Sequence, residues 1–175
     1  VAAVNNNGIG VCGVAGGDGT PGTGIRMMTC QLFSGNASGG TLNRAQAYRY
    51  AADMGASILQ CSFGQDAGNL MADKDFETMY RSEVDALEYF MTKRAASNPV
   101  SCNFAIFASG NEGQDVSAYP AAHNRYISVA AFGPDFLPTN YTNYGPGVNI
   151  CAPGGDYAIN STSATPERSQ VLSTL

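Results

Sequence analysis

The sequence predicts an α/β fold, a mostly parallel central sheet with helices on both faces. Three observations carry that reading. Several short runs are apolar on both sides, as strands buried on two faces must be. Between them lie longer segments whose apolar residues return every three or four positions. Glycine, proline or small polar residues mark the points where one pattern gives way to the other. Right-handed crossovers complete the layered architecture. No internal repeat and no linker divides the chain, so residues 1–175 read as a single domain.

The first strand is residues 25–33, IRMMTCQLF, bounded by Gly24 and by Ser34-Gly35. A helix follows over 42–54, where Ala45, Tyr48, Ala52 and Met54 share a face and Gly55 supplies a left-handed stop. Residues 57–62 form the second strand, which runs out at Gly64. The next helix spans 75–96: Val84, Leu87, Phe90 and Met91 make its apolar stripe, and Asn98-Pro99 ends it. Its acids Glu83 and Asp85 precede Lys93 and Arg94, the favourable direction for the helix dipole. Strands at 103–108 and 126–131 come next. From Gly133 onward, Gly145, Pro146, Gly147, Pro153, Gly154 and Gly155 break the chain into short extended pieces.

Composition removes several function classes. With 175 residues, 44% of them apolar, the chain can bury a sizeable core. Charged residues make up only 13%, the formal net charge is −5, and neither sign is clustered, which argues against nucleic acid as a partner. No apolar run reaches the roughly 18 residues of a membrane span, and the segment VAAVNNNGIG has none of the regions of a signal peptide. The cysteines, Cys12, Cys30, Cys61, Cys102 and Cys151, are odd in number and form no CxxC pair. That favours free thiols acting as small buried hydrophobes over a disulfide framework or a zinc site.

In a parallel sheet, function gathers where strands end at their carboxyl edge. Three such ends carry small or polar residues: Ser38-Gly39-Gly40, Ser62-Phe63-Gly64 and Gly110-Asn111-Glu112-Gly113. Glycines there leave backbone bare for another extended chain to pair with. Each stretch taken singly also suits a plain turn.

Together and in order, VAAVNNNGIGVCGVA, SGG, CSFG, SGNEG, AYPAA, CAPGG and the closing VLSTL resemble the central part of subtilisin-like serine proteases, the subtilases. The resemblance covers almost the whole chain and implies a partial, incomplete subtilase catalytic domain over 1–175. It implies that Asn111 donates its side-chain amide to the oxyanion formed when a serine attacks a peptide carbonyl. A neutral amide on glycine-flanked backbone suits that task; a turn asparagine in the left-handed region is the structural alternative. Ser38, Gly39 and Gly40 match one substrate-binding edge, and Ser62, Phe63 and Gly64 match the opposing one. Side-chain pockets are expected between Phe63, Gly64 and the loop of Gly110 and Asn111. Phe63 stands where an aliphatic residue is expected. Peptide substrate with broad, apolar-leaning specificity follows.

The NNNGIGV loop resembles the family's calcium loop, with Val4, Asn6, Ile9 and Val11 at the matching positions. Oxygen-only ligation suits a hard cation, and a metal-free asparagine-glycine turn suits the same residues. No organic cofactor is implied. The family's catalytic aspartate, histidine and serine motifs are not found in residues 1–175. His123, the only histidine, lies just past Tyr119-Pro120 with no matching motif, and nothing supplies a base to Ser109. The family resemblance implies an extracellular, periplasmic or cell-surface protein, and self-association of this chain through uncovered apolar surface. Two rivals remain in view. Gly17-Asp-Gly19-Thr-Pro-Gly22 satisfies GxGxxG, but a strand rather than a helix is expected after it. A non-catalytic peptide-binding domain could use the same cleft without chemistry.

Overall fold

Strands 58–61, 104–108, 127–132 and 150–153 form the central sheet in a computed structural model, which describes residues 1–35, 37–67, 72–93, 102–156 and 170–173. In chain order the elements are β1 Phe33–Ser34, β2 Ala37–Ser38, α1 Gly40–Asp53, β3 Ile58–Cys61, α2 Asp73–Met79, α3 Arg81–Thr92, β4 Phe104–Ala108, β5 Ile127–Phe132 and β6 Ile150–Pro153. β3, β4, β5 and β6 pair in that order, all parallel, with Cys61 opposite Phe107 and Ala108 opposite Val129. The α/β class and the parallel sheet are therefore as the sequence predicts.

Among the described residues, the helices cover the sheet face that carries Leu59, Cys61, Ala105 and Phe107. Tyr48 of α1, Phe76 of α2 and Val84 and Leu87 of α3 share one buried cluster with them. Small residues on α1, Ala45, Ala51 and Ala52, are buried and let it lie close against α3. The two helices are also tied at one end, where the Tyr89 hydroxyl donates to Asp53 at 2.7 Å and Lys93 pairs with the same carboxylate. Buried Asn103 caps α3, its amide donating to the carbonyls of Phe90 at 2.8 Å and Lys93 at 2.7 Å.

The structure corrects four expectations. Of the run 25–33, only Phe33 and Ser34 are in a strand, and they pair with Ala37 and Ser38 as a small hairpin. The rest finds no ladder among the described residues and leaves Ile25 and Met27 more than half exposed. An apolar run states only that a segment can form a strand, and here it stays outside the ladder although β3 has a partner on one side alone among the described residues. Met54 does not share the buried face of α1; it is 59% exposed beyond the helix end, while Ala51 takes its place and Gly55 turns left-handed at φ +80° as expected. The helix expected over 75–96 is two helices, broken at Tyr80 (φ −114°, ψ 35°); residues 94–96, Asn98-Pro99 and the last two residues of VLSTL lie outside the described ones. Only Cys61 is a buried thiol, and Cys12, Cys30, Cys102 and Cys151 are exposed free thiols.

Candidate functional site

The parallel register of β3 and β4 brings their carboxyl ends out side by side, so Ser62-Phe63-Gly64 and the loop 109–113 leave the sheet at one edge. A single crossing segment joins them. Ala118 donates its N–H to the Ser109 carbonyl at 2.7 Å, and Gln65 donates to the Tyr119 carbonyl at 2.7 Å. A Cβ on Gly64 would lie 2.9 Å from that same carbonyl, so a side chain there would push the loop off its support.

Phe63 joins the hairpin to the sheet. Its ring meets Phe33 of the β1–β2 hairpin edge-on at 5.9 Å and Phe107 of β4 at 6.2 Å. The hairpin that leads into Ser38, Gly39 and Gly40 thus stands beside the loop after β3. The Arg44 guanidinium lies over Phe63 at 5.9 Å. From there it reaches Glu83, with Nε 3.0 and 3.1 Å from the two carboxylate oxygens and a terminal nitrogen 3.0 Å away. Glu83 is 1% exposed and also accepts the Tyr48 hydroxyl at 3.1 Å. Burial, with the nearby Glu83 carboxylate adding to it, pushes the Tyr48 phenol well above its usual range. Glu83 is therefore a buried partner of Arg44 rather than a solvated charge of the helix dipole.

Asn111 is exposed on its loop, and no hydrogen bond to its side chain is found among the described residues. Its own φ is not positive; the left-handed conformations fall on Gly110 (φ +112°) and Gly113 (φ +64°), so Asn111 is not a left-handed asparagine. A Cβ on Gly110 would press on Asn143 and come within 2.6 Å of Glu112 Oε2. Asn143, from the TNYTNYG stretch, is fully buried beneath this loop. In sequence it lies in the turn-rich part beyond Gly133, with no local signal to mark it.

Ser109 and His123 have structural roles. The Ser109 hydroxyl is buried and donates to the Asn143 carbonyl at 3.1 Å. His123 is 1% exposed, 4.9 Å from the Tyr126 ring, with Nε2 3.2 Å from Glu77 and Nδ1 accepting the Arg125 N–H at 3.2 Å. The Gly17–Gly22 stretch closes on itself, since Asp18 accepts from the Thr20 N–H at 3.0 Å and the Thr23 hydroxyl at 2.9 Å. The Thr20 N–H, chiefly, holds the Asp18 carboxyl below its usual range. The next described helix starts only at Gly40, so the dinucleotide reading has no support.

In the NNNGIGV loop, Val4, Asn6 and Ile9 are exposed and Val11 is half-buried, with Asn6 left-handed at φ +57°. Asn7 Oδ1 is taken by the Ile9 N–H at 3.0 Å, whereas Asn5 Oδ1 is buried without a partner. A buried amide oxygen without a partner is the kind of ligand a hard cation takes. No group of three histidine, cysteine or acidic side chains that could hold a metal ion occurs among the described residues. A separate hollow of about 530 Å³ lies over β5 and β6, between Phe132, Phe136, Tyr144 and Val148; it contains no charged side chain and none of the predicted cleft residues.

The description "Subtilase family" belongs to the family whose model matches residues 1–174. The chain is 28% identical over 166 residues to the thermophilic serine proteinase of Bacillus sp. (strain AK1), covering 91% of this chain and 37% of that protein. It is 27% identical to a calcium-dependent protease of Nostoc sp. (strain PCC 7120), covering 96% of this chain and 26% of that one. The chain thus spans well under half the length of these relatives. Its fold superposes on the epidermin leader peptide processing serine protease of Staphylococcus aureus with TM-score 0.59 at 20% identity, over 77% of this chain and 36% of the other. No described helix is long and apolar enough to cross a membrane.

Proposed function

This chain belongs to the subtilase family, and from that premise we propose that the full-length protein is a serine endopeptidase of broad specificity. In this reading residues 1–175 supply the substrate cleft and the oxyanion donor, while nucleophile, base and orienting acid come from outside them. The observation that carries the reading is the loop 109–113: an exposed asparagine amide on glycine-flanked backbone, at the carboxyl edge of the sheet. When a serine oxygen attacks a peptide carbonyl, the C=O electron pair moves onto oxygen. A neutral N–H donor already aimed at that oxygen stabilises the new charge without reorganising. Because the ground-state carbonyl carries less charge, the benefit appears in turnover.

Substrate backbone would add as an extended strand between Ser38, Gly39 and Gly40 on one side and Ser62, Phe63 and Gly64 on the other, with Gly110 below. Main-chain pairing of this kind reads little sequence. The Phe63 ring is held by Phe33, Phe107 and Arg44, which supports a firm wall rather than an adjustable pocket. Calcium is proposed as a structural ion at the NNNGIGV loop, through carbonyls of Val4, Ile9 and Val11 and an asparagine oxygen. The sequence motif designates Asn6; the orphaned oxygen adds Asn5 as a candidate. Secretion or a cell-surface location accords with the family.

The test is kinetic. Asn111→Ala in the full-length protein should lower kcat by roughly 10² to 10³, the magnitude known for the corresponding subtilisin donor, with little change in KM. A serine-directed phosphonate should label the full-length protein and leave isolated residues 1–175 unlabelled. A full-length protein that binds peptides but neither cleaves them nor takes up phosphonate is the non-catalytic binding domain instead.

A further inference from the structure

The side chain of Asn143 is completely buried and makes four hydrogen bonds, all to the segment 109–114. Oδ1 accepts the N–H groups of Glu112 at 3.1 Å and Gln114 at 3.0 Å. Nδ2 donates to the Ser109 carbonyl at 3.0 Å and to Glu112 Oε2 at 2.7 Å. That uses the full capacity of a primary amide, two donors and two acceptor sites. The partners also fix its orientation, because two N–H groups must face oxygen while a carbonyl and a carboxylate must face nitrogen. Bonds to the Asn143 main chain reinforce it: its N–H donates to the Gly110 carbonyl at 3.1 Å, and its carbonyl accepts the Ser109 hydroxyl at 3.1 Å.

These bonds bracket Asn111 without touching its side chain. The residues before and after it are held, and the missing Cβ at Gly110 is what lets Asn143 come this close. An amide that must meet a short-lived oxyanion at hydrogen-bond distance needs its backbone fixed beforehand, since a displacement of about 1 Å can cost about a hundredfold in rate. We infer that Asn143 is the positioning residue of the oxyanion donor: its buried amide fixes the loop 109–114 so that Asn111 is aimed before substrate arrives. The inference rests on the reading of Asn111 as that donor.

The experiment is a double-mutant cycle in the full-length protein, with kcat and KM on a peptide substrate and Tm as a control of folding. Asn111→Ala should cost roughly 10² to 10³ in kcat in the parent, and less than about tenfold once Asn143→Ala has released the loop. Equal factors in both backgrounds overturn the inference. Should Asn143→Ala not fold, Asn143→Asp serves. It keeps both acceptor bonds but sets a carboxylate against Glu112, and Glu112→Gln in the same chain restores a donor between them. The pair should recover kcat at least about tenfold over Asn143→Asp alone, with KM unchanged; absence of recovery counts against the inference. A full-length protein that cleaves no peptide removes the oxyanion reading and this inference together. Additive losses in an active protein remove this inference alone.

Discussion

Replacing Glu83 by leucine should be among the most damaging single changes in the chain. Glu83 is 1% exposed and neutralises Arg44, whose side chain is only 13% exposed. Breaking a buried pair by removing one member typically costs about 3 to 5 kcal/mol, because the other charge stays behind uncompensated. The Tyr48 hydroxyl, which donates to Glu83 at 3.1 Å, also loses its acceptor, a further loss of about 1 kcal/mol or more. The small exposure of Arg44 offsets part of this, which leaves about 4 kcal/mol. That is a large share of a stability of about 5 to 15 kcal/mol. With a urea slope of about 2 kcal/mol per molar, the midpoint should fall by about 2 M. The double variant Arg44→Met/Glu83→Leu removes both charges and keeps the volume, so only the loss at the Tyr48 hydroxyl remains and it should return to within about 2 kcal/mol of the parent. Urea unfolding of the three proteins is the assay. A shift below about 0.5 M for Glu83→Leu, or a double variant no more stable than it, would refute the account of this pair.

Other consequences can be checked more simply. In the native protein at mildly alkaline pH, a thiol reagent should reach Cys12, Cys30, Cys102 and Cys151 quickly and Cys61 only after unfolding, since burial shields Cys61 and pushes its thiol from 9.0 to about 12. The raised value makes Cys61 contribute stability that is fully present below pH 9 and lost as pH rises toward about 12; an alkaline titration of Cys61→Ala should show less of that loss. Sedimentation of residues 1–175 at several concentrations should reveal dimers or larger species, because Ile25, Met27, Phe33 and Ile58 are each about half exposed or more. A clean monomer at high concentration would argue otherwise. Chelating calcium should lower the Tm of the full-length protein, and Asn5→Ala or Asn6→Ala should abolish the response to added calcium; an unchanged Tm would leave the NNNGIGV loop a plain turn.

How much of this was legible beforehand depended on where each residue's partners lie in the chain. The strands at 58–61, 104–108 and 127–132 announce themselves through local apolar runs, and α1 through its period and Gly55. The run 25–33 has the same local signature yet forms almost no ladder, because pattern states only that a segment can pair. The break at Tyr80 is hidden for a related reason: Phe76, Tyr80, Val84 and Leu87 keep helical spacing across it, and both helices bury residues in one cluster. Asn111 is marked as a candidate by the glycines on either side of it and by the family motif. Asn143 is not, because the groups its amide holds are 29 to 34 residues away. Arg44 and Glu83 are 39 apart, and in sequence each resembles an ordinary helix charge.

The order of the central sheet has a consequence for how the chain comes together. Because β3, β4, β5 and β6 lie side by side in the order in which they are synthesised, each new strand can join the edge left by the one before it. No strand has to be inserted between two already paired. Assembly of this part can therefore keep pace with translation, and each addition closes a loop of modest length rather than one spanning the chain. The same order makes damage directional. Loss of β6 trims one edge and leaves the β3–β5 registers intact, whereas loss of β4 separates the strands on either side of it and takes the Asn111 loop with it.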